Sequence, residues 1–299
     1  MKIAIYNWNR CLDEVIPELK KHHELVENYK KADKLVVWNE SKRHGWSSRI
    51  EYAQKKGKEV ILYQQGIWAF DWVRPPFSEP IISDTLCVWG EEDKRRLIKY
   101  GTPAEKIIVT GSPLIKHLKP RVPHKGKNVV FALEHWDVGQ DVPENLIVAS
   151  ELRKLEGVKV FTKGLFKENQ TNIFQNPIET DRFNPDHLKQ VAEVLSTADL
   201  VVGITESTFQ FFAECLDIPV IIADIWIPRE RGGDERYLDF YPNFSNGVTK
   251  VPLKDLNKEI YKQLKHPEIK REERRQSAID NGGIDLPDPV KTLIDIIEK

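Results

Sequence analysis

The residues best placed to do chemistry lie in a hydroxyl-rich turn, Thr205-Glu-Ser-Thr208, between an apolar run and an amphipathic one. Leu200–Ile204 reads as a buried strand and residues 207–216 as a helix, so Ser207 and Thr208 fall where the helix begins. First-turn N–H groups have no intrahelical partner there, and the helix dipole is positive, which suits a phosphate. An ordinary hydroxyl cap satisfies the same pattern. Glu206 would repel a phosphate, so it reads as a cap or as an acceptor for a sugar hydroxyl. Glu214, about two turns further on, is in range of a ribose hydroxyl, or stands in solvent as single acids on helices do.

These groups need elements to hold them. In the first half, Ile3–Trp8, Leu35–Trp38, Val60–Tyr63, Thr85–Trp89 and Ile107–Thr110 are short, β-branched or aromatic runs bounded by polar residues or glycine, and read as buried strands. Residues 14–30, 47–56 and 91–100 read as the helices between them. The second half repeats the theme with strands at 128–133, 158–162, 200–204 and 220–224, and helices near 144–156, 186–197 and 207–216. Helical patterns over 253–265 and 288–299 follow. Strand alternating with helix predicts α/β architecture, two Rossmann-like doubly wound domains. The expected boundaries are 1–115, a Pro-containing linker at 116–127, a second domain at 128–275, and a closing helix in 276–299 that packs back on the body.

Composition narrows the classes. The 299 residues are 40% hydrophobic and 30% charged, which is globular rather than disordered. No apolar run approaches the roughly 18 residues of a membrane helix, and the N-terminal segment reads as a strand rather than a signal peptide. Three cysteines without CxxC spacing argue against a disulfide framework or structural zinc and fit a reducing cytoplasm. The net charge of −1 hides an asymmetry: residues 1–127 are net basic and 128–299 net acidic. A basic domain suggests an anionic partner, although drift of surface charge gives the same sum.

In open parallel sheets, ligands bind beyond the C-terminal ends of the strands. Those positions hold Asn9, Arg10, Glu40, Gln65 and, just beyond, Trp68 and Asp71 in the first half, and His135, Lys163 and the 205–208 turn in the second. The expected site is the cleft between the two domains. Several tryptophans recur near these ends, where a flat face could stack on a sugar or a base, or simply pack.

At these residues the chain resembles the GT-B superfamily of nucleotide-sugar enzymes, in the branch of UDP-N-acetylglucosamine 2-epimerases and CDP-glycerol-type transferases. Thr85-Leu-Cys-Val-Trp-Gly-Glu-Glu-Asp93, with Leu97, Tyr100-Gly101 and Glu105-Lys-Ile-Ile-Val-Thr-Gly-Ser-Pro113, is similar to the passage that closes those N-terminal domains. Leu195–Asp224 resembles their donor-binding helix region, and Asn246-Gly-Val-Thr-Lys-Val-Pro252 the segment that follows. The pattern spans about residues 60–265. It departs from the epimerases where Glu134-His-Trp-Asp137 replaces a His-Arg-Arg-Glu-Asn run and Glu206-Ser-Thr-Phe209 replaces Asp-Ser-Gly-Gly, and from the transferases where Gln65-Gly66 replaces His-Gly.

The resemblance implies a metal-independent glycosyltransferase, with the acceptor on the first domain and a nucleotide-sugar donor, UDP-sugar favoured, on the second. Lys163, Thr205, Glu206, Ser207, Thr208, Glu214, Arg229 and Arg231 are the expected donor contacts. Asn9, Arg10, His44, Gln65 and Trp68 are the expected acceptor contacts. Asp71 is the first candidate for the base, since an aromatic loop would raise its pKa; Glu40 follows, with Asp13 and His44 also in range, and His135 keeps one residue of the epimerase run. No DxD at a strand end and no His pair at metal spacing is visible, so no metal or further cofactor is expected. The acceptor class is anionic: a cell-surface polymer precursor, a lipid phosphate at a membrane surface where the protein would sit peripherally, or DNA undergoing modification. The alternatives are a nucleotide-sugar 2-epimerase and an inactive nucleotide-sugar or nucleic-acid binding protein.

Overall fold

Parallel strands buried on both faces need continuous apolar runs, and Leu35-Val-Val37 and Val60-Ile-Leu62 supply them. The computed structural model describes residues 1–7, 10–38, 40, 45–66, 81–99, 101–133, 143–164, 176–178, 184, 186–204, 207–225 and 245–299. They form two compact units, Met1–Leu114 with Ile279–Lys299, and Ile115–Ala278.

In the first unit the strands are β1 (Lys2–Ile5), β2 (Glu24–Leu25), β3 (Lys34–Val37), β4 (Glu59–Tyr63), β5 (Thr85–Val88) and β6 (Ile107–Val109). They pair in the order β2-β1-β3-β4-β5-β6, all parallel. Helices α1 (Val15–Leu19), α2 (Trp46–Lys55) and α3 (Glu91–Lys99) alternate with them. One face buries Leu35, Val37, Val60 and Leu62 against Ile50 and Ala53 of α2, each large aliphatic contributing about 1.5–3 kcal/mol.

The single helix expected over 14–30 is instead a short helix, an edge strand and a 3-10 turn at Tyr29–Lys31. Leu25 pairs with Ile3 along β1, and that pairing overrides the helical spacing of the apolar residues.

The second unit contains β7 (Asn128–Ala132), β8 (Lys159–Lys163), β9 (Pro177–Ile178), β10 (Leu200–Gly203), β11 (Val220–Asp224) and β12 (Thr249–Pro252). Their order is β12-β11-β10-β7-β8-β9, again all parallel. Helices α4 (Pro143–Leu152), α5 (His187–Ser196), α6 (Thr208–Cys215) and α7 (Leu256–Lys265) belong to it. Val129, Phe131, Leu200 and Val202 pack with Val148, Leu152, Leu256 and Ile260 to make its core.

Two helices follow, α8 (Arg271–Gly282) and α9 (Pro289–Glu298). The end of α8 lies hard against the first unit's strand ends. A Cβ on Gly90 would meet the Asp280 carbonyl oxygen at 2.0 Å, and one on Gly283, at φ +59°, would meet the Trp89 carbonyl at 2.7 Å. Only glycine permits this approach.

Residues ahead of β7 are strapped to the second unit. The Asp199 carboxylate binds Arg121 at 2.5 Å, faces His124 at 3.5 Å and accepts the Asn128 amide at 2.8 Å, while the Val122 amide donates to the Ser196 carbonyl.

Candidate functional site

Two sets of strand-end residues are in place, one in each unit. In the second, β8 ends on Lys163, which is 6% exposed. Its Nζ lies 5.0 Å from the centroid of the Phe209 ring, and Phe209 is the second residue of α6. Among the described residues no carboxylate pairs with this ammonium. Burial alone drives its pKa down, to about 8. A strand end and a helix start therefore bring a desolvated cation beside the positive end of a helix dipole.

The turn at that helix start is a serine cap braced by a glutamine. Ser207 is the N-cap in extended conformation; its Oγ accepts from the Phe209 amide and donates to Gln210 Oε1. The serine hydroxyl hydrogen is thus committed inside the protein. That leaves Lys163, beside the positive end of the α6 dipole, as the group best suited to an anion there. Gln210 was not expected, yet a Ser-x-x-Gln spacing at the head of an apolar helix signals it.

Glu214, at the other end of α6, is 3% exposed, so the solvated alternative is overturned. Its carboxylate accepts the Ser245 hydroxyl and is hydrogen-bonded by Ser277, with Arg274 and Lys270 nearby. Burial outweighs these favourable contacts and lifts its pKa to about 7. Arg274, fully buried, grips Asp217 at 2.6 Å and the Pro267 carbonyl at 2.7 Å. This network ties α6 to α8, and nothing in the single helix of Glu214 announces it.

In the first unit, Arg10 adopts φ +60° just beyond β1 and its guanidinium lies 3.1 Å from Asp13. Asn7 organises this turn: its Nδ2 donates to Asp13 at 2.6 Å and its Oδ1 accepts the Leu12 amide. The Gln65 carbonyl accepts the Cys11 thiol, bringing the β4 end to the same turn. The neighbouring Gln64 is a buried brace: its Oε1 accepts the Trp89 amide at 2.6 Å and its Nε2 donates to Asp93 at 2.7 Å.

Glu40 is engaged elsewhere, on the segment before β5. Both its oxygens are engaged, by the Ile82 amide, the Ser83 amide and the Ser83 hydroxyl at 2.7 Å. Burial raises its pKa against those hydrogen bonds. With three donors and 5% exposure it acts as a latch on the segment before β5, and a proton-accepting role would require breaking that latch. Asp71, His135, Thr205, Glu206, Arg229, Arg231, Asn9, His44 and Trp68 lie outside the described residues. Among the described residues no cluster of three or more His, Cys, Asp or Glu is arranged for a metal ion, and no helix is long and apolar enough to cross a membrane.

No protein-family profile and no curated protein sequence matches the chain. Solved structures match it in fold along nearly its whole length. The wall teichoic acid polymerase TagF aligns with a TM-score of 0.60 at 12% identity, over 99% of this chain and 88% of that one. The UDP-GlcNAc 2-epimerase from Neisseria meningitidis, bound to UDP-GlcNAc, gives 0.61 at 13% identity, over 100% and 98%. The S. aureus MnaA–UDP co-structure gives 0.61 at 10% identity, over 99% and 95%. These are enzymes of the GT-B type, in the branch that the sequence resembles. The chain has their fold: α/β, with two parallel doubly wound sheets.

Proposed function

We propose that this protein is a metal-independent, nucleotide-sugar-dependent transferase whose Ile115–Ala278 unit holds the donor and whose Met1–Leu114 unit takes the acceptor. The observation that carries this reading is Lys163, a buried ammonium with no carboxylate among the described residues, set beside the start of α6. A desolvated cation beside the positive end of a helix dipole is a poor arrangement when empty and a good one around a diphosphate. Lys163, Thr208 and the α6 amides would stabilise the charge that builds on the leaving nucleotide. The acceptor hydroxyl attacks the anomeric carbon, the bond from that carbon to the diphosphate oxygen breaks, and the hydroxyl proton passes to a carboxylate, Asp71 being our first candidate. UDP is the favoured nucleotide because two similar structures hold UDP or a UDP-sugar. The basic residues of the first 127 positions favour an anionic acceptor, in keeping with the resemblance to a teichoic acid polymerase.

Epimerisation is the second reading, since epimerases match the fold equally well. The changed runs at 134–137 and 206–209 weigh against it. Incubation with UDP-GlcNAc alone separates the two. The transferase leaves the sugar unepimerised and frees UDP only when an acceptor is added; a 2-epimer formed without acceptor would overturn the proposal. Tight UDP binding with neither outcome would identify a binding protein.

A further inference from the structure

Arg49, in the first turn of α2, sits in a cage of rings: its guanidinium carbon is 4.6 Å from the Trp46 centroid, 5.8 Å from Tyr6 and 5.9 Å from Tyr29. Lys30 repeats the arrangement, with Nζ 5.7 Å from the centroid of Tyr52. The rings are joined edge to face, Tyr6 to Trp46 at 4.8 Å and Tyr29 to Tyr52 at 5.7 Å. Among the described residues neither cation has a carboxylate partner.

A ring face attracts a cation but accepts few of its N–H groups, so it fixes the cation's position without neutralising it. Arg49 therefore keeps its planar fork for an oxyanion, in the geometry that binds phosphate in two bonds. We infer that the α2 face bearing Arg49, with Lys30 beside it, binds successive phosphates of a polyanionic chain. Two ring-held cations suit a repeating phosphate better than a single one, and the basic balance of residues 1–127 favours its approach. The assignment rests on the proposed function only where it names that chain as the acceptor.

The test uses the full chain and linear inorganic polyphosphate, titrated by calorimetry across a salt series. Arg49→Ala and Lys30→Ala should each weaken binding several-fold and lower the slope of log K against log salt by about one, the signature of one lost phosphate contact. Arg49→Lys should keep the slope and lose affinity, because it keeps the charge and not the fork. This comparison separates binding from any loss of packing. A double variant that binds polyphosphate with wild-type affinity and slope would overturn the inference. Tighter binding of single-stranded DNA than of polyphosphate would also overturn it, by showing that the rings read bases. UDP binding should be the same in wild type and double variant. Absence of UDP binding in the wild type would remove the donor proposal while the salt slopes still tested this face.

Discussion

The Lys163 ammonium lies 5.0 Å above the Phe209 ring, so the end of β8 and the first turn of α6 share one buried positive site. Neither element alone is unusual. Together they place a charge that water does not solvate beside a dipole of the same sign, and the free protein bears the cost.

Removing that charge should therefore help the empty protein and harm the complex. A lysine whose pKa falls from 10.5 to about 8 carries a burial penalty on the order of 3 kcal/mol. Lys163→Met should raise the melting temperature without ligand and weaken UDP by about 1.5–3 kcal/mol, the range for a hydrogen bond to a charged group. Between pH 8 and 10.5 the unfolded chain holds a proton that the folded one has lost, so the Lys163 contribution makes stability rise with pH there. The variant should lose that rise. Wild-type affinity for UDP should fall as pH climbs through about 8; an unaltered UDP titration in the methionine variant would refute the site.

Glu214 titrates in the opposite sense. Its pKa is raised from 4.5 to about 7, so the folded state holds a proton in that window and the unfolded state does not. Its stabilising contribution is complete below pH 4.5 and is lost as pH rises through 7. Glu214→Gln keeps an acceptor for Ser245 and cannot ionise. Thermal melts of the variant should show a flatter pH dependence between 4.5 and 7 and a higher melting temperature above pH 7.

Ser207→Ala should cost about 1 kcal/mol of stability by opening the cap, and Ser207→Gly only a few tenths. Because the Ser207 hydroxyl hydrogen goes to Gln210, UDP affinity should fall less in Ser207→Ala than in Lys163→Met. Parallel melts and titrations of the three variants check the order.

Gly90→Ala should be among the most damaging single changes, since its methyl would occupy the Asp280 carbonyl at 2.0 Å. Two backbones meet there and neither is a flexible side chain that could yield. Circular dichroism melts should show a loss of several kcal/mol or no folded protein.

The inner strands of both sheets were legible because a buried parallel strand announces itself in its own few residues, as in β3, β4, β10 and β11, whereas the edge strands β2, β9 and β12 were not expected. The cap at Ser207 and the strand end at Lys163 were legible for the same reason, being set by neighbours in the chain. What stayed hidden depends on distant partners. Leu25 is a strand residue only because β1 lies beside it. Helix α8 is too charged to look core-facing, and its Arg274 is buried against Asp217, 57 positions earlier. Glu40 looks like a free acid until Ser83 closes on it, 43 residues later.

The Asp199 clasp changes what counts as the second domain. A fragment that begins at Asn128 discards Arg121 and His124, leaves one carboxylate without its counter-charges and uncovers the Ser196 carbonyl. Anyone wishing to isolate the second unit should start at Ile115: the proline-containing stretch that looks like a tether is part of the body it leads into.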